Sequence, residues 1–302
     1  MTASVARLQG TDEAKKTGLS LTTLAIRRLR RDNLTLFAMS VLVILILTSF
    51  LGAPILSETL GVSYTKTQAD KTFLTPGSYP HLMGTDDLGR DHLMRLLYAG
   101  QVSLSVGFIA ATLAISIGVS LGVVTGYYGG VIDDIVNWMI ATLNSIPSLF
   151  LLLIVAAVLR PSPVTLVLIL GFLGWTGTTR LVRGETLSIR EREYVISARA
   201  IGASPLRIMF VHIMPNLFSV IVITLAIDIG GIILTEAALS FLGLGILPPT
   251  PSWGNMLTDA QTFFTKGVYL VIAPGLLIFI TVLCLYVVGD GLRDAFDPTA
   301  KD

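Results

Sequence analysis

Six long intervals between successive charged residues constrain this chain more than any other feature. A bilayer crossing takes about 20 predominantly apolar residues per helix. Intervals that hold such runs are Asn33 to Ser57, a stretch between Leu96 and Ile132 with Gln101 to Thr125 as its core, and Ile135 to Leu159. The others are Pro161 to Thr179, Ile213 to Leu242, and Gly267 to Gly289. Of the 302 residues 53% are hydrophobic and 14% charged, with a mean hydropathy of +0.77, a composition outside the soluble range. The chain is therefore expected to be an all-α membrane protein with six transmembrane helices. Ala237 to Thr258 also lacks charge, but Gly243, Gly245, Pro248, Pro249 and Pro251 break it too densely for a lipid-exposed helix. It reads as an external cap or a re-entrant segment. The first span is too long for a secretory h-region and follows more than thirty residues, so it is expected to stay as an anchor in a mature whole chain.

Cations set the orientation. Arg7, Lys15, Lys16, Arg27, Arg28, Arg30 and Arg31 precede the first span, and Arg180, Arg183, Arg190, Arg192, Arg199 and Arg207 lie between the fourth and fifth. The positive-inside bias then places the N-terminus, the central loop and the C-terminus in the cytoplasm. The expected organisation is a cytoplasmic tail and amphipathic helix over 1–32, a six-helix membrane domain over 33–290, and a cytoplasmic tail over 291–302. Within the membrane domain fall an external loop at 58–95 and a cytoplasmic loop at 183–214. Leu19 to Arg31 alternates apolar and basic residues, as an amphipathic helix on an anionic inner leaflet would, although topogenic charge alone explains the same pattern. A net charge of +1 says little about partners; membrane lipid is expected as one and nucleic acid is not.

Catalytic signatures are missing from the sequence. It contains no GxxxxGK[ST], HExxH or GxSxG, and its SxxK at Ser63 and KTG at Lys16 fall on opposite sides of the expected membrane. His81, His92 and His212 are too scattered for a metal site, and Cys284 sits alone in the sixth span as a packing residue. No metal, cofactor or enzymatic activity is expected in this chain. GTDDLGRD, from Gly84 to Asp91, has oxygen ligands without the alternating spacing of a calcium loop, so turn formation and helix capping by Asp86 and Asp87 is the favoured reading. Ala110, Ala114, Gly118, Gly122 and Gly126 recur every fourth residue, a pattern that lets helix backbones approach closely and less often lines a pore. Pro147 is expected to kink the third span. Asp228 and Glu236 lie inside the fifth span, where a carboxylate normally faces water or a partner. They are candidates for a translocation path, with structural pairing as the equal alternative.

The run from Glu193 to Asn216 is a polar island in this apolar chain. Leu187, Tyr194, Ala198 and Ile201 fall close to one face of a helix spanning Leu187 to Ile201. Gly202 suits the left-handed position that ends a helix, Ser204 the cap of the next, and Pro205 its first turn, placing the turn at Gly202-Ala203. Pro215 would pre-organise entry into the fifth span. A short helix joined rigidly to a membrane helix is a lever that a soluble partner could grip by helix-in-groove docking; a surface helix without a partner has the same periodicity.

This island resembles the EAA loop of ABC-importer permeases, E-A-A, three residues, Gly, nine residues, I-x-L-P. Gly202 and Pro215 stand at the required separation and Ala198 matches the second Ala, while Ile196, Ser197, His212 and Met214 depart from the pattern. The segments REREYV, ARAIGAS, HIMPN, GTDDLGRD, GYYGG, ALSFLGLG, PPTPSWG and GDGLRDAFDP are similar to the oligopeptide, dipeptide and nickel permease branch, and to its C-type subunit. The resemblance implies a type I ABC importer permease fold in a prokaryotic inner membrane. It implies import of di- or oligopeptides, with nickel or another small solute as the alternative and a stand-alone secondary transporter as a more distant one. Partners would be a homologous B-type permease, two cytoplasmic ATPase subunits that carry the ATP and Mg, and an extracytoplasmic solute-binding protein. Coupling to the ATPases would fall to Glu193, Ala198, Arg199, Ala200, Ile201, Gly202, Ala203, Ser204, Pro205, Leu206 and Pro215, with Ala198 to Leu206 as the coupling helix. Asp86, Asp87, Arg90, Asp91 and Trp253, in two loops at the outer mouth, would receive the binding protein.

Overall fold

A computed structural model describes residues 21–159 and 162–296, and the tail residues 1–20 and 297–302 lie outside this range. The helices in chain order are α1 (Leu21–Leu29), α2 (Asn33–Leu60, with a π-turn at Thr48–Gly52), α3 (His92–Tyr128), α4 (Gly130–Asn144) and α5 (Ser148–Val158). They continue with α6 (Pro163–Leu173), α7 (Trp175–Arg190), α8 (Glu193–Ala200), α9 (Phe218–Phe241), α10 (Ala260–Lys266) and α11 (Tyr269–Phe296). No strand occurs among the described residues. Five stretches are long and apolar enough to cross a membrane, namely α2, α3, Pro163–Arg190, Pro205–Phe241 and α11, and the broken pair α4 and α5 counts as a sixth when its two halves are taken as one span.

Local chemistry explains where these helices start and stop. The Asp32 carboxylate caps α2 through the Leu34 and Thr35 amides, and the Thr35 hydroxyl donates to it too, holding its pKa below the usual carboxylate range. Asp91 caps α3 through the Met94 amide at 2.8 Å, so this helix begins well before the expected Gln101. Pro147 does more than kink the third span. With φ −55° and ψ 127° it starts α5 afresh instead of extending α4, and the two halves meet at 82°. At the other end α11 runs on to Phe296, through part of the stretch expected as a tail, and α1 packs against it with Ala25 only 3% exposed.

The longest helix, α3, organises the bundle, with α6, α7 and α9 laid along it. Its small residues are the reason. A Cβ added at Gly118, Gly122 or Gly126 would come within 2.7, 2.7 and 2.6 Å of the Cβ atoms of Thr178, Val182 and Thr186 on α7. Residue numbers rise together along the two helices, so they run parallel at backbone contact. Gly107 makes room in the same way for Ile233 of α9. The small-residue repeat thus packs helices over most of its length.

Candidate functional site

The polar island folds as a helical hairpin with the turn where expected, but its first helix is interrupted. The helix expected from Leu187 to Ile201 breaks at Glu191-Arg192, and its buried face is Val195 and Ala198, whereas Tyr194 and Ile201 are exposed. Tyr194 lies about 100° round α8 from Val195, so the buried strip sits to one side of the expected face, and Ile201 follows the last residue of α8. The turn sits at Gly202-Ala203. Gly202, at φ +85°, donates its N–H to the Arg199 carbonyl, and Ala203 donates to the Ala198 carbonyl, both at 3.0 Å. This pair of bonds is a Schellman motif, which needs the left-handed backbone that glycine adopts without a Cβ penalty. Ser204 then accepts the Arg207 amide, and Pro205 occupies the first turn of Pro205–Arg207.

Two arginines weld the hairpin to the end of α3. Arg190 Nη1 donates to the Gly126 and Tyr127 carbonyls at 3.1 and 3.2 Å, a cation at a helix C-terminus. Arg199 stacks its guanidinium 5.6 Å from the Tyr127 ring centroid. Beneath them Val195, Ile208, Ile213 and Leu217 are fully buried in one cluster with Val123, Val182 and Ile189. Pro215 lies in the short 3-10 turn Met214–Leu217 that leads into α9. What remains outside is a tip whose most exposed apolar side chains are Ile201, 87% exposed, and Leu206, 63% exposed. Of the other expected coupling residues, Glu193, Arg199, Ala200, Ser204 and Pro205 are also exposed, Ala203 is half-buried and Ala198 is buried under the hairpin. Sequence reasoning missed Arg190 and Tyr127 as the fastenings; the adjoining GYYGG segment carried no pattern that paired one with the other.

The two carboxylates of α9 part company. Glu236 is 0% exposed and accepts hydroxyls from Ser103 on α3 at 3.1 Å and from Ser240 at 2.7 Å. Ser103 in turn accepts the Trp253 amide, and Ser240 accepts the Ile246 amide. Glu236 therefore holds the 243–258 segment onto α3 and α9, and offers no surface to a solute, in line with the structural alternative. Asp228 is half-buried, and the one bond it makes among the described residues is to the Thr178 hydroxyl of α7 at 3.4 Å.

Most of the expected docking residues in the loops at 84–91 and 248–254 are covered. Trp253 is 1% exposed, donating its indole N–H to the Leu96 carbonyl and filling the space left by Gly100, so it cannot be a contact for another protein in this conformation. Asp86 and Asp91 are buried as well. Asp86 builds the turn, accepting the Leu88 and Arg90 amides and pairing with Arg90 and Arg95. Asp91, which also binds His81 Nδ1 at 2.8 Å, is the helix cap expected of Asp86 and Asp87. Only Asp87 remains substantially exposed, its pKa raised by partial burial and then by the Asp86 carboxylate. Arg90 is mostly covered.

The break between α4 and α5 opens a cavity of about 560 Å³, lined by Asn144, Pro147 and Ser148 from the break, by Leu170, Thr176 and Arg180 from α6 and α7, and by Ile232 and Thr235 from α9. Asp228 stands one turn from Ile232 on the same stripe of α9, since residues four apart share a helical face.

Comparison with known proteins gives concordant results. Residues 118–302 match the family of binding-protein-dependent transport system inner membrane components. The dipeptide transport system permease protein DppC of Haemophilus influenzae is 38% identical over 74% of this chain and 76% of its own length. The oligopeptide transport system permease protein OppC of Bacillus subtilis is 35% identical over 96% of this chain and 93% of its own. Among solved structures, an inward-facing form of the MetNI methionine ABC transporter aligns with a TM-score of 0.53 and 18% identity, covering 67% of this chain and 96% of that one. At that identity the likeness speaks for the fold alone.

Proposed function

Because this chain belongs to the family of binding-protein-dependent transport system inner membrane components, we propose that it forms half of the translocation pathway of an ATP-driven importer of di- or oligopeptides. The observation that carries the coupling role is the exposed apolar tip at Ile201 and Leu206, on a hairpin that Arg190, Arg199 and the Ile208–Leu217 cluster fix to the membrane bundle. An apolar knob on a rigid mount fits a groove on a soluble partner, and any movement of that partner is passed to α3, α7 and α9. The partners are a homologous B-type permease, two ATPase subunits that bind and hydrolyse ATP with Mg, and an extracytoplasmic solute-binding protein. The chain itself contributes no catalytic group. The hairpin and both termini face the cytoplasm of a prokaryotic cell, and the loops that contain Asp87 and Pro248 face outward, where the binding protein delivers the solute. Asp228 lines the path and favours cationic groups, whereas Glu236 is a structural clamp. Peptides are the favoured solutes because the relatives named above are peptide permeases.

The test is reconstitution of the complex in liposomes with labelled dialanine. ATP-dependent uptake is expected with all partners present, and Ile201→Asp is expected to abolish it together with binding-protein-stimulated ATP hydrolysis. Uptake by this chain alone would favour a secondary transporter instead, and an Ile201→Asp complex with undiminished coupling would remove the hairpin from the mechanism.

A further inference from the structure

One cation on α7, Arg180, has no counter-charge among the described residues. Arg180 precedes Arg190 by ten residues, so it stands about 15 Å along the helix from the turn that fastens the hairpin to the end of α3. It is exposed and makes no ion pair among the described residues. Its neighbours are treated differently: Arg183, one turn further on, is clamped by both carboxylate oxygens of Asp133 on α4. An unpaired guanidinium within a membrane helix is costly, and such groups generally face water, a partner or a substrate. Arg180 faces the cavity at the α4–α5 break.

Other donors stand beside it. Ser148 and Asn144 at the break line the same space; Thr176, one turn earlier on α7, donates its hydroxyl to Asn144 Oδ1 at 3.4 Å, and no hydrogen bond engages the Asn144 side-chain amide nitrogen in the described structure. A planar five-donor guanidinium with hydroxyl and amide donors beside it is the chemistry that binds a carboxylate. Asp228 stands apart from this space: it touches Thr178, which packs on Gly118 of α3 about 200° round α7 from Arg180, and it does not line the cavity. A volume of about 560 Å³ is ample for a short peptide.

We infer that Arg180, with the Asn144 amide, forms a subsite for the C-terminal carboxylate of a peptide in transit. This rests on the peptide-import reading above and adds the feature of the peptide that the membrane subunit itself recognises.

The experiment measures occupancy of the cavity rather than transport. In the assembled complex without binding protein, with Cys284→Ala to remove the native thiol and Ser148→Cys as reporter, the rate of modification by a thiol reagent is followed against dialanine or dialanine amide. Dialanine is expected to protect the reporter more strongly than the amide. Arg180→Gln is expected to raise the half-protecting concentration of dialanine about tenfold, the size of one lost charge-assisted hydrogen bond, and to leave that of the amide unchanged. Arg180→Lys should recover part of the effect. Equal protection by acid and amide, protection that survives Arg180→Gln, or no protection by either overturns the inference. So does an Arg180→Gln complex that fails to co-purify while Arg180→Lys assembles, because Arg180 then serves an acidic group of a neighbouring subunit. Uptake by the wild-type complex in the preceding experiment reports separately on the peptide-import reading.

Discussion

Replacing Gly202 tests whether the hairpin works as a rigid lever. Its φ of +85° lies in the left-handed region, and a Cβ added there would meet nothing within 4 Å. Substitution therefore costs only backbone strain, about 1–2 kcal/mol for an ordinary residue. Asparagine tolerates this region and should cost less, whereas the β-branched valine should cost more. A change of one or two kcal/mol alters a closed-to-open ratio by roughly 5- to 30-fold. The closed turn is reported by two amides, Gly202 on the Arg199 carbonyl and Ala203 on the Ala198 carbonyl. Hydrogen exchange at the Ala203 amide, present in every variant, should accelerate in the order Asn, Ala, Val, with Ala inside that range. Coupled ATP hydrolysis in the reconstituted complex should fall in the same order. Exchange unchanged in Gly202→Val, or faster in Gly202→Asn than in Gly202→Val, refutes the argument from backbone strain. Exchange that follows the expected order beside equal loss of coupling in all three variants would show that the partner's groove excludes any side chain there.

Two further outcomes follow from the packing. Glu236→Ala strips the acceptor from two buried hydroxyls, costing about 1–3 kcal/mol each by general experience and nearer 0.6 kcal/mol where unfolded helices find other partners in lipid. Glu236→Gln, which keeps volume and one oxygen, should cost less; thermal unfolding in detergent followed by tryptophan fluorescence checks the order, and equal stability of the two variants would remove the clamp role. Gly122→Ala places a Cβ 2.7 Å from Val182 Cβ and 2.9 Å from the Thr179 carbonyl oxygen, so α3 and α7 must separate, at about 1–3 kcal/mol. Val182→Gly should relieve part of that loss and Val182→Ala should not, since alanine keeps the offending Cβ; the same unfolding measurement reads both.

Much of this architecture was legible because its causes are local. The bilayer length requirement picks out charge-free runs one by one, and it marked five spans and the broken pair α4 and α5, although their ends shifted by several residues. Gly202, Ser204 and Pro205 fixed the turn for the same reason, since helix stops, caps and first turns are set by the nearest backbone groups. Resemblance supplied the family, and the comparisons bear it out. The sequence could not tell which side of α8 is buried, because Val195 is covered in a cluster with Val123, Val182 and Ile208, and the hairpin is fastened there by Arg190 on carbonyls 63 and 64 residues away. Nor could it separate Asp228 from Glu236, two acids on one helix whose difference lies in Ser103, 133 residues from Glu236 in the chain. Trp253 read as a loop residue at the outer mouth and proved to be core, since Gly100 leaves the space its ring occupies. Composition and spacing determine which segments enter a membrane and where they turn. Which polar side chains are then satisfied, and which are left facing a cavity, depends on groups far apart in sequence, and only the packed bundle brings those together.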